Sequence, residues 1–283
     1  MGELQLTTEI DKNSGFCFGV ISAITKAENT LESNNNLYCL GEIVHNDEEI
    51  KRLEQKGLTI ITKTELETIS NKTVLFRAHG EPPSSYEVAH RNNNTIIDAS
   101  CPIILKLQQI VKKSYNNKEN IYIFGKRNHP EIIAINGQID NKAFVFERLE
   151  ELDLKKIPPK ITLYSQTTQS LEKFRIIVKT LIEAGIVVDV KDTICRQVSN
   201  REPNLIEFCK RFNKIIFIAG TNSSNGKVLY NICKKINEDT HYVSSPEQIQ
   251  KEWFNRKDKV GICGGTSTPM WLMKKTEETI LSF

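Results

Sequence analysis

Seven cysteines occur in this chain, yet no two form a C-x-x-C pair. That absence argues against a zinc ribbon, a thioredoxin motif and a ferredoxin-type cluster loop, so any metal centre must gather ligands from distant positions. Histidine is scarce, at five residues, and none stands in H-E-x-x-H, which removes the zincin reading. No apolar run approaches the ~20 residues needed to cross a bilayer, and Met1 to Asp11 lacks a signal-peptide core, so a cytoplasmic protein with no membrane partner is expected. Charge of one sign is also missing. A formal net charge of +3, with acids and bases interleaved, leaves no dedicated nucleic-acid surface, although it permits a modest basic patch for an acidic partner. In such a chain, thiols are free, metal-bound or catalytic rather than paired in disulfides.

The remaining composition is that of a globular protein, 39% hydrophobic and 26% charged over 283 residues. Strand-like runs at Leu37 to Leu40, Val74 to Phe76, Thr95 to Ile97, Ile121 to Phe124, Ile161 to Tyr164, Ile186 to Val190, Ile215 to Ala219 and Val260 to Cys263 alternate with amphipathic stretches. This alternation predicts an α/β fold with mostly parallel sheets, in which ligands collect beyond the carboxyl ends of strands. Polar loops follow six of these strands, and Leu152 to Lys160, with Pro158 and Pro159, reads as an exposed linker.

Ile96-Ile97-Asp98-Ala99-Ser100-Cys101-Pro102 is the most informative stretch. It places a cysteine where a β-branched strand runs into a helix opened by Pro102. A thiol there faces unpaired backbone N–H groups and the positive end of the helix dipole, a setting for a ligand or nucleophile. Cys17, before the periodic run Val20 to Leu31, and Cys195, after Ile186-Val187-Val188, share that context. One such cysteine is ordinarily a packing residue; three in matching contexts suggest a unit repeated three times, each bringing a sulfur to a shared centre. Cys39 and Cys263 fall inside strands, and Cys209 and Cys233 on apolar helix stripes, so these four are expected in the core.

His45, His79, His129 and His241 are read as following strands. Singly, each would be a satisfied structural side chain, and His241 is assigned as such; His90, on a polar helix, is read as solvated. Together with hydroxyls and amides, the first three suit an anionic ligand. Glu131, in His129-Pro130-Glu131, would alone be a first-turn helix acid; beside His129 and three thiolates it becomes a proton donor whose pKa its surroundings would raise. Gly220 to Lys227 departs from a Walker A loop in spacing, and Val228 stands where Ser or Thr must hold magnesium. What survives is a helix start at Ser223, Ser224 and Asn225, with a similar one at Ser267-Thr268-Pro269. Plain capping explains each separately; the pair with the histidines suggests a diphosphate bound without magnesium.

The whole set of motifs resembles the 4-hydroxy-3-methylbut-2-enyl diphosphate reductases. The resemblance rests on Gly15-Phe16-Cys17-Phe18-Gly19-Val20, Glu42-Ile43-Val44-His45-Asn46, Ala78-His79-Gly80, Asp98-Ala99-Ser100-Cys101-Pro102, His129-Pro130-Glu131, Gln166-Thr167-Thr168, Asp192-Thr193-Ile194-Cys195, Asn222-Ser223-Ser224-Asn225 and Gly264-Gly265-Thr266-Ser267-Thr268-Pro269. It implies a pseudo-threefold trefoil of α/β units, residues 15–100, 101–193 and 194–283, the last completed by the N-terminal strand within 1–14. It also implies one 4Fe-4S cluster held at its centre by Cys17, Cys101 and Cys195, with the fourth iron open. His45, His79, Ser223, Ser224, Asn225 and Ser267 would grip the diphosphate. Glu131, with His129 and Thr167 close by, would protonate the allylic hydroxyl. Two electrons from ferredoxin or flavodoxin would complete a reduction to isopentenyl and dimethylallyl diphosphate. Where the family usually carries a glycine after His-Pro-Glu, this chain has Ile132-Ile133-Ala134, and Gly137 is expected to take over that turn.

Two other readings keep the cysteines: a non-catalytic redox or iron sensor, and a hydrolase with zinc on the same thiols. A sensor has no use for Glu131, Thr167 and the phosphate-binding set. Stoichiometric zinc in a colourless protein would mark the hydrolase.

Overall fold

A computed structural model describes residues 4–221 and 223–283, except the side chain of Ser224. In chain order the elements are β1 (Thr7–Ile10), α1 (Phe18–Ser33), β2 (Leu37–Leu40), α2 (Asp47–Gln55), β3 (Leu58–Ile61), α3 (Lys63–Thr68), β4 (Thr73–Phe76), α4 (Pro83–Arg91), β5 (Thr95–Asp98), α5 (Pro102–Asn116), β6 (Ile121–Phe124), α6 (Pro130–Asn136), β7 (Phe144–Phe146), β8 (Lys160–Ser165), α7 (Leu171–Glu183), β9 (Val187–Val190), α8 (Arg196–Ser199), α9 (Arg201–Cys209), β10 (Lys214–Ile218), α10 (Ser224–Ile236), β11 (Thr240–Val243), β12 (Lys259–Gly264) and α11 (Met270–Leu281). The strands form three four-stranded, wholly parallel sheets ordered β3-β2-β4-β5, β7-β6-β8-β9 and β11-β10-β12-β1.

These orders are one topology used three times. Within each sheet the first strand in sequence sits inside, the second forms one edge, the third pairs with the first, and the fourth forms the other edge. In the last sheet the fourth place is taken by β1, with Thr7 opposite Lys259 and Ile10 opposite Ile262. The break between the first and third strands, where the chain leaves in opposite directions, is the place at which parallel α/β sheets bind ligands.

Side-chain alternation explains why the inner strands are apolar on both faces. In β6 and β8, Phe124, Ile161 and Leu163 pack with Phe174, Ile177 and Leu181 of α7. Their neighbours Ile121, Ile123 and Tyr164 pack with Leu107 and Val111 of α5 and Ile132 and Ile135 of α6. In β10, Ile216 and Ile218 join Leu272 and Met273 of α11, whereas Ile215 and Phe217 join Leu205 and Phe208 of α9 and Leu229 of α10.

The chain divides into two compact units. One takes the described residues up to Ile21, Glu42–Gly57 and Asn200–Phe283, and holds the sheet completed by β1; the other takes Ser22–Gly41 and Leu58–Ser199, and holds the other two sheets. Among the described residues, no helix is long and apolar enough to cross a membrane.

The eight apolar runs correspond to β2, β4, β5, β6, β8, β9, β10 and β12. The periodicity passed over β3, β7 and β11, each three or four residues long and each the same edge strand of its sheet. His241 therefore lies within β11 rather than after a strand, stacked on Trp253 with ring centroids 4.2 Å apart. The helix α6 runs through Ile132-Ile133-Ala134. Gly137 supplies no left-handed turn, since its φ is −63°; a Cβ there would lie 2.5 Å from Pro82 Cβ, so close packing explains the glycine.

Candidate active site

Each singled-out side chain occupies a repeated place. After the first strand of each sheet come His45 (β2), His129 (β6) and Ser223 (β10); after the third come His79 (β4), Thr167 (β8) and Ser267 (β12); after the fourth come Cys101 (β5), Cys195 (β9) and Cys17 (β1). All nine follow carboxyl strand ends. The three cysteines also stand immediately before helices. Cys101 is the N-cap of α5, with its N–H donated to the Ala78 carbonyl at 3.0 Å; Ile21 N–H donates to the Cys17 carbonyl at 2.9 Å; Ser199 N–H donates to the Cys195 carbonyl at 3.0 Å. These three cysteines are partly exposed, whereas Cys39, Cys209, Cys233 and Cys263 are buried.

In the unit holding β2–β9, the site residues form a connected series. The Cys195 N–H donates to the Thr167 carbonyl at 2.8 Å. The Thr167 N–H donates to Glu131 Oε1 at 2.7 Å, and its hydroxyl donates to Oε2 at 2.8 Å. The Glu131 N–H donates to His129 Nδ1 at 3.2 Å, which caps α6. That bond assigns the proton of a neutral His129 to Nε2. His129 meets His79 edge to face, with centroids 5.4 Å apart, and Ala78, before His79, holds Cys101. Glu131 is only 1% exposed. Burial pushes its carboxyl up to about 7, and the two Thr167 bonds oppose the rise.

In the other unit, Ser223 caps α10 through Gly226 N–H at 3.0 Å, and its hydroxyl lies 3.3 Å from that of Ser267. Asn225 Oδ1 accepts from the Thr266 N–H and hydroxyl at 3.4 and 3.2 Å, tying α10 to the loop after β12. His45 Nδ1 lies 3.1 Å from Glu42 Oε2. The backbone at His45 is set against Gly220, where a Cβ would lie 2.5 Å from the His45 carbonyl oxygen. Beside Cys17, Gly15 adopts φ +104° and packs against Thr268 and Met273, while the Ser14 hydroxyl accepts from Gly264 N–H at 3.0 Å. Asn222 and the side chain of Ser224 lie outside the described residues.

A family model described as LytB protein matches residues 9–281. The chain belongs to the LytB family. The 4-hydroxy-3-methylbut-2-enyl diphosphate reductase of Bacteroides fragilis is 45% identical over 279 residues, covering 96% of each chain. The enzyme of that name from Chloroherpeton thalassium is 41% identical, covering 97% of this chain and 96% of its own. A solved (E)-4-hydroxy-3-methyl-but-2-enyl diphosphate reductase, the terminal enzyme of the non-mevalonate pathway, aligns with TM-score 0.77 and 32% identity over 99% of this chain and 100% of that one. The Plasmodium falciparum reductase aligns with TM-score 0.82 and 26% identity over 98% of this chain and 88% of that one.

Three other cysteines gather in the interior of the unit completed by β1. The sulfurs of Cys209, Cys233 and Cys263 all lie within 4.8 Å of one another. They are fully buried among Leu205, Phe208, Phe217 and Leu229, and desolvation pushes the Cys263 thiol well up. A metal there would require ionised sulfurs inside an apolar cluster, so the group is packing, as the sequence pattern predicts. Sequence reasoning missed Glu42, three residues before His45, and Arg201, whose burial no local pattern marks.

Proposed function

We propose that this chain reduces 4-hydroxy-3-methylbut-2-enyl diphosphate to isopentenyl and dimethylallyl diphosphate, replacing the allylic hydroxyl by hydrogen with two electrons and two protons and releasing water. Cys17, Cys101 and Cys195 fit an iron–sulfur group: they are the three thiols left out of the packed interior, and each stands at a helix start. A 4Fe-4S cluster on them would supply the electrons and, at the iron without a protein ligand, Lewis acidity toward the hydroxyl. The reading includes a cytoplasmic setting and a ferredoxin or flavodoxin as electron donor.

His45, His79, Ser223, Ser224, Asn225 and Ser267 bind the diphosphate through ring N–H, hydroxyl and amide donors, and with His129 and Thr167 they bind the substrate. The observation that carries the reading is Glu131. A buried carboxyl brought to about 7 holds its proton near neutral pH, where an ordinary glutamate has lost it. Thr167 connects it outward. Its hydroxyl accepts the Glu131 proton and releases its own, and leaving hydroxide becomes leaving water. A sensor would have no use for this arrangement.

The test combines anaerobic iron and sulfide quantification with turnover on the allylic diphosphate. The expected result is about four irons per chain and formation of the two products. Stoichiometric zinc, or intact iron without turnover, would overturn it.

A further inference from the structure

Arg201 opens α9 and is 7% exposed, yet no carboxylate forms an ion pair with it among the described residues. Its Nη2 donates to the Gly15 carbonyl at 3.0 Å, and its buried Nε has no hydrogen-bond partner among the described residues. A guanidinium removed from water at this depth is costly unless negative charge lies nearby. Three groups are within electrostatic reach: Asp11, Cys17 and Cys263. The Asp11 carboxyl accepts from the Ser14 hydroxyl at 2.8 Å and the Asn13 N–H at 3.0 Å; neutral donors do not cancel a charge, so Asp11 is one counter-charge to the guanidinium. Cys263 sits in the apolar thiol group, where burial keeps its proton on. Cys17 is the other neighbour outside the apolar thiol group, and Arg201 pins the backbone two residues before it.

We propose that Arg201 is a positioning residue for the Cys17 ligand and the buried cation that balances the charge gathered there, raising the reduction potential of a cluster bound at Cys17. This rests on the reading of Cys17 as a cluster ligand. Each one-electron reduction by an external low-potential carrier adds one negative charge to the centre. A fixed cation in a low-dielectric setting favours that product. The Gly15 hydrogen bond supplies geometry and the guanidinium supplies charge, so two substitutions separate them. Arg201→Gln keeps an amide donor and loses the charge; Arg201→Lys keeps the charge and loses the fork.

The test is potentiometric titration of anaerobically reconstituted protein, followed by electron paramagnetic resonance. Arg201→Gln is expected to retain its iron and shift the midpoint negative by at least tenfold in the oxidised-to-reduced ratio, about 59 mV for one electron. Arg201→Lys should stay near wild type. Equal shifts in the two variants, or none in Arg201→Gln, overturn the proposal. A second measurement on cluster-free full-length chain reads the Gly15 tether: hydrogen exchange across Gly15 to Cys17 should quicken several-fold in Arg201→Ala and stay near wild type in Arg201→Gln, which keeps a donor. Unchanged rates also overturn it. If wild-type protein forms no cluster, the parent reading fails at that step, while the exchange rates still decide whether Arg201 positions the backbone before Cys17.

Discussion

Thr167 holds Cys195 by its carbonyl, at 2.8 Å, while its N–H and hydroxyl hold the carboxyl of Glu131. One residue at the end of β8 therefore fixes both a sulfur-bearing loop and the proton-bearing group. Every residue but proline carries one backbone donor and one backbone acceptor, and Thr167 uses both together with its side chain. Loss of order at this residue would disturb ligand and acid together.

Replacing Glu131 by Gln retains the acceptor for the Thr167 N–H but removes the transferable proton. Iron content should match wild type, and turnover with a reduced dye as donor should fall by roughly 10²–10⁴-fold. Wild-type turnover would remove Glu131 from the mechanism.

Activity should fall as pH rises through about 7, because burial holds the Glu131 proton up to that point and the deprotonated form has none to give. Stability moves in the same direction. The folded form binds this proton more strongly than the unfolded chain, so the stabilisation is complete below the ordinary value of 4.5 and is lost as pH rises through about 7. Chemical denaturation of wild type and Glu131→Gln across pH 4 to 8 checks the sign, each pH in that range being about one step of the series. A difference between the two that grows toward low pH in favour of wild type is expected; a flat difference contradicts the assignment.

Thr167→Val removes the hydroxyl bond to Oε2 and leaves the backbone bond to Oε1. Both bonds lower the Glu131 pKa against burial, so the alkaline limb of the pH profile should move upward by about one pH unit, or about 1.4 kcal/mol. Turnover should fall with loss of the relay. Thr167→Ser should restore both properties, and a profile unmoved by Val would show that the hydroxyl does not engage the carboxyl.

Native cluster-free protein treated with a small alkylating reagent should react at Cys17, Cys101 and Cys195, with Cys39, Cys209, Cys233 and Cys263 labelled only after unfolding. Burial pushes the Cys39 thiol up to about 12, which adds to its inertness. Peptide mapping reads the result. Fast native labelling within the buried group would contradict its description as packing.

Gly220→Ala drives a Cβ to 2.5 Å from the His45 carbonyl oxygen and 2.9 Å from Asn46 Cα, both backbone atoms. Overpacking of this kind costs about 1–3 kcal/mol. Substrate capture should weaken with the displacement of His45, and turnover at saturation should change less; titration calorimetry with the diphosphate separates the two. Unaltered affinity would detach the His45 backbone from phosphate binding.

The inner strands were legible because their residues are apolar on alternate and on both faces, a pattern that needs no knowledge of neighbours. Strands β3, β7 and β11 were not, since three or four residues at a sheet edge become strand only when an inner strand offers its backbone. Cys17, Cys101 and Cys195 could be separated from the other cysteines because a strand-to-helix junction is a local feature. Gly137 was misread: a glycine required by Pro82, more than fifty positions away in sequence, looks locally like a turn glycine.

The sequence by itself determined which residues stand at strand ends and helix starts, because backbone preference and apolar periodicity act over a few neighbours. Only the tertiary structure decided that Glu131 is sealed from water with Thr167 on both oxygens, that Arg201 is a buried cation bonded to the Gly15 carbonyl, and that β1 completes the sheet begun by β10. Desolvation, charge proximity and strand pairing depend on what other parts of the chain bring to the same place.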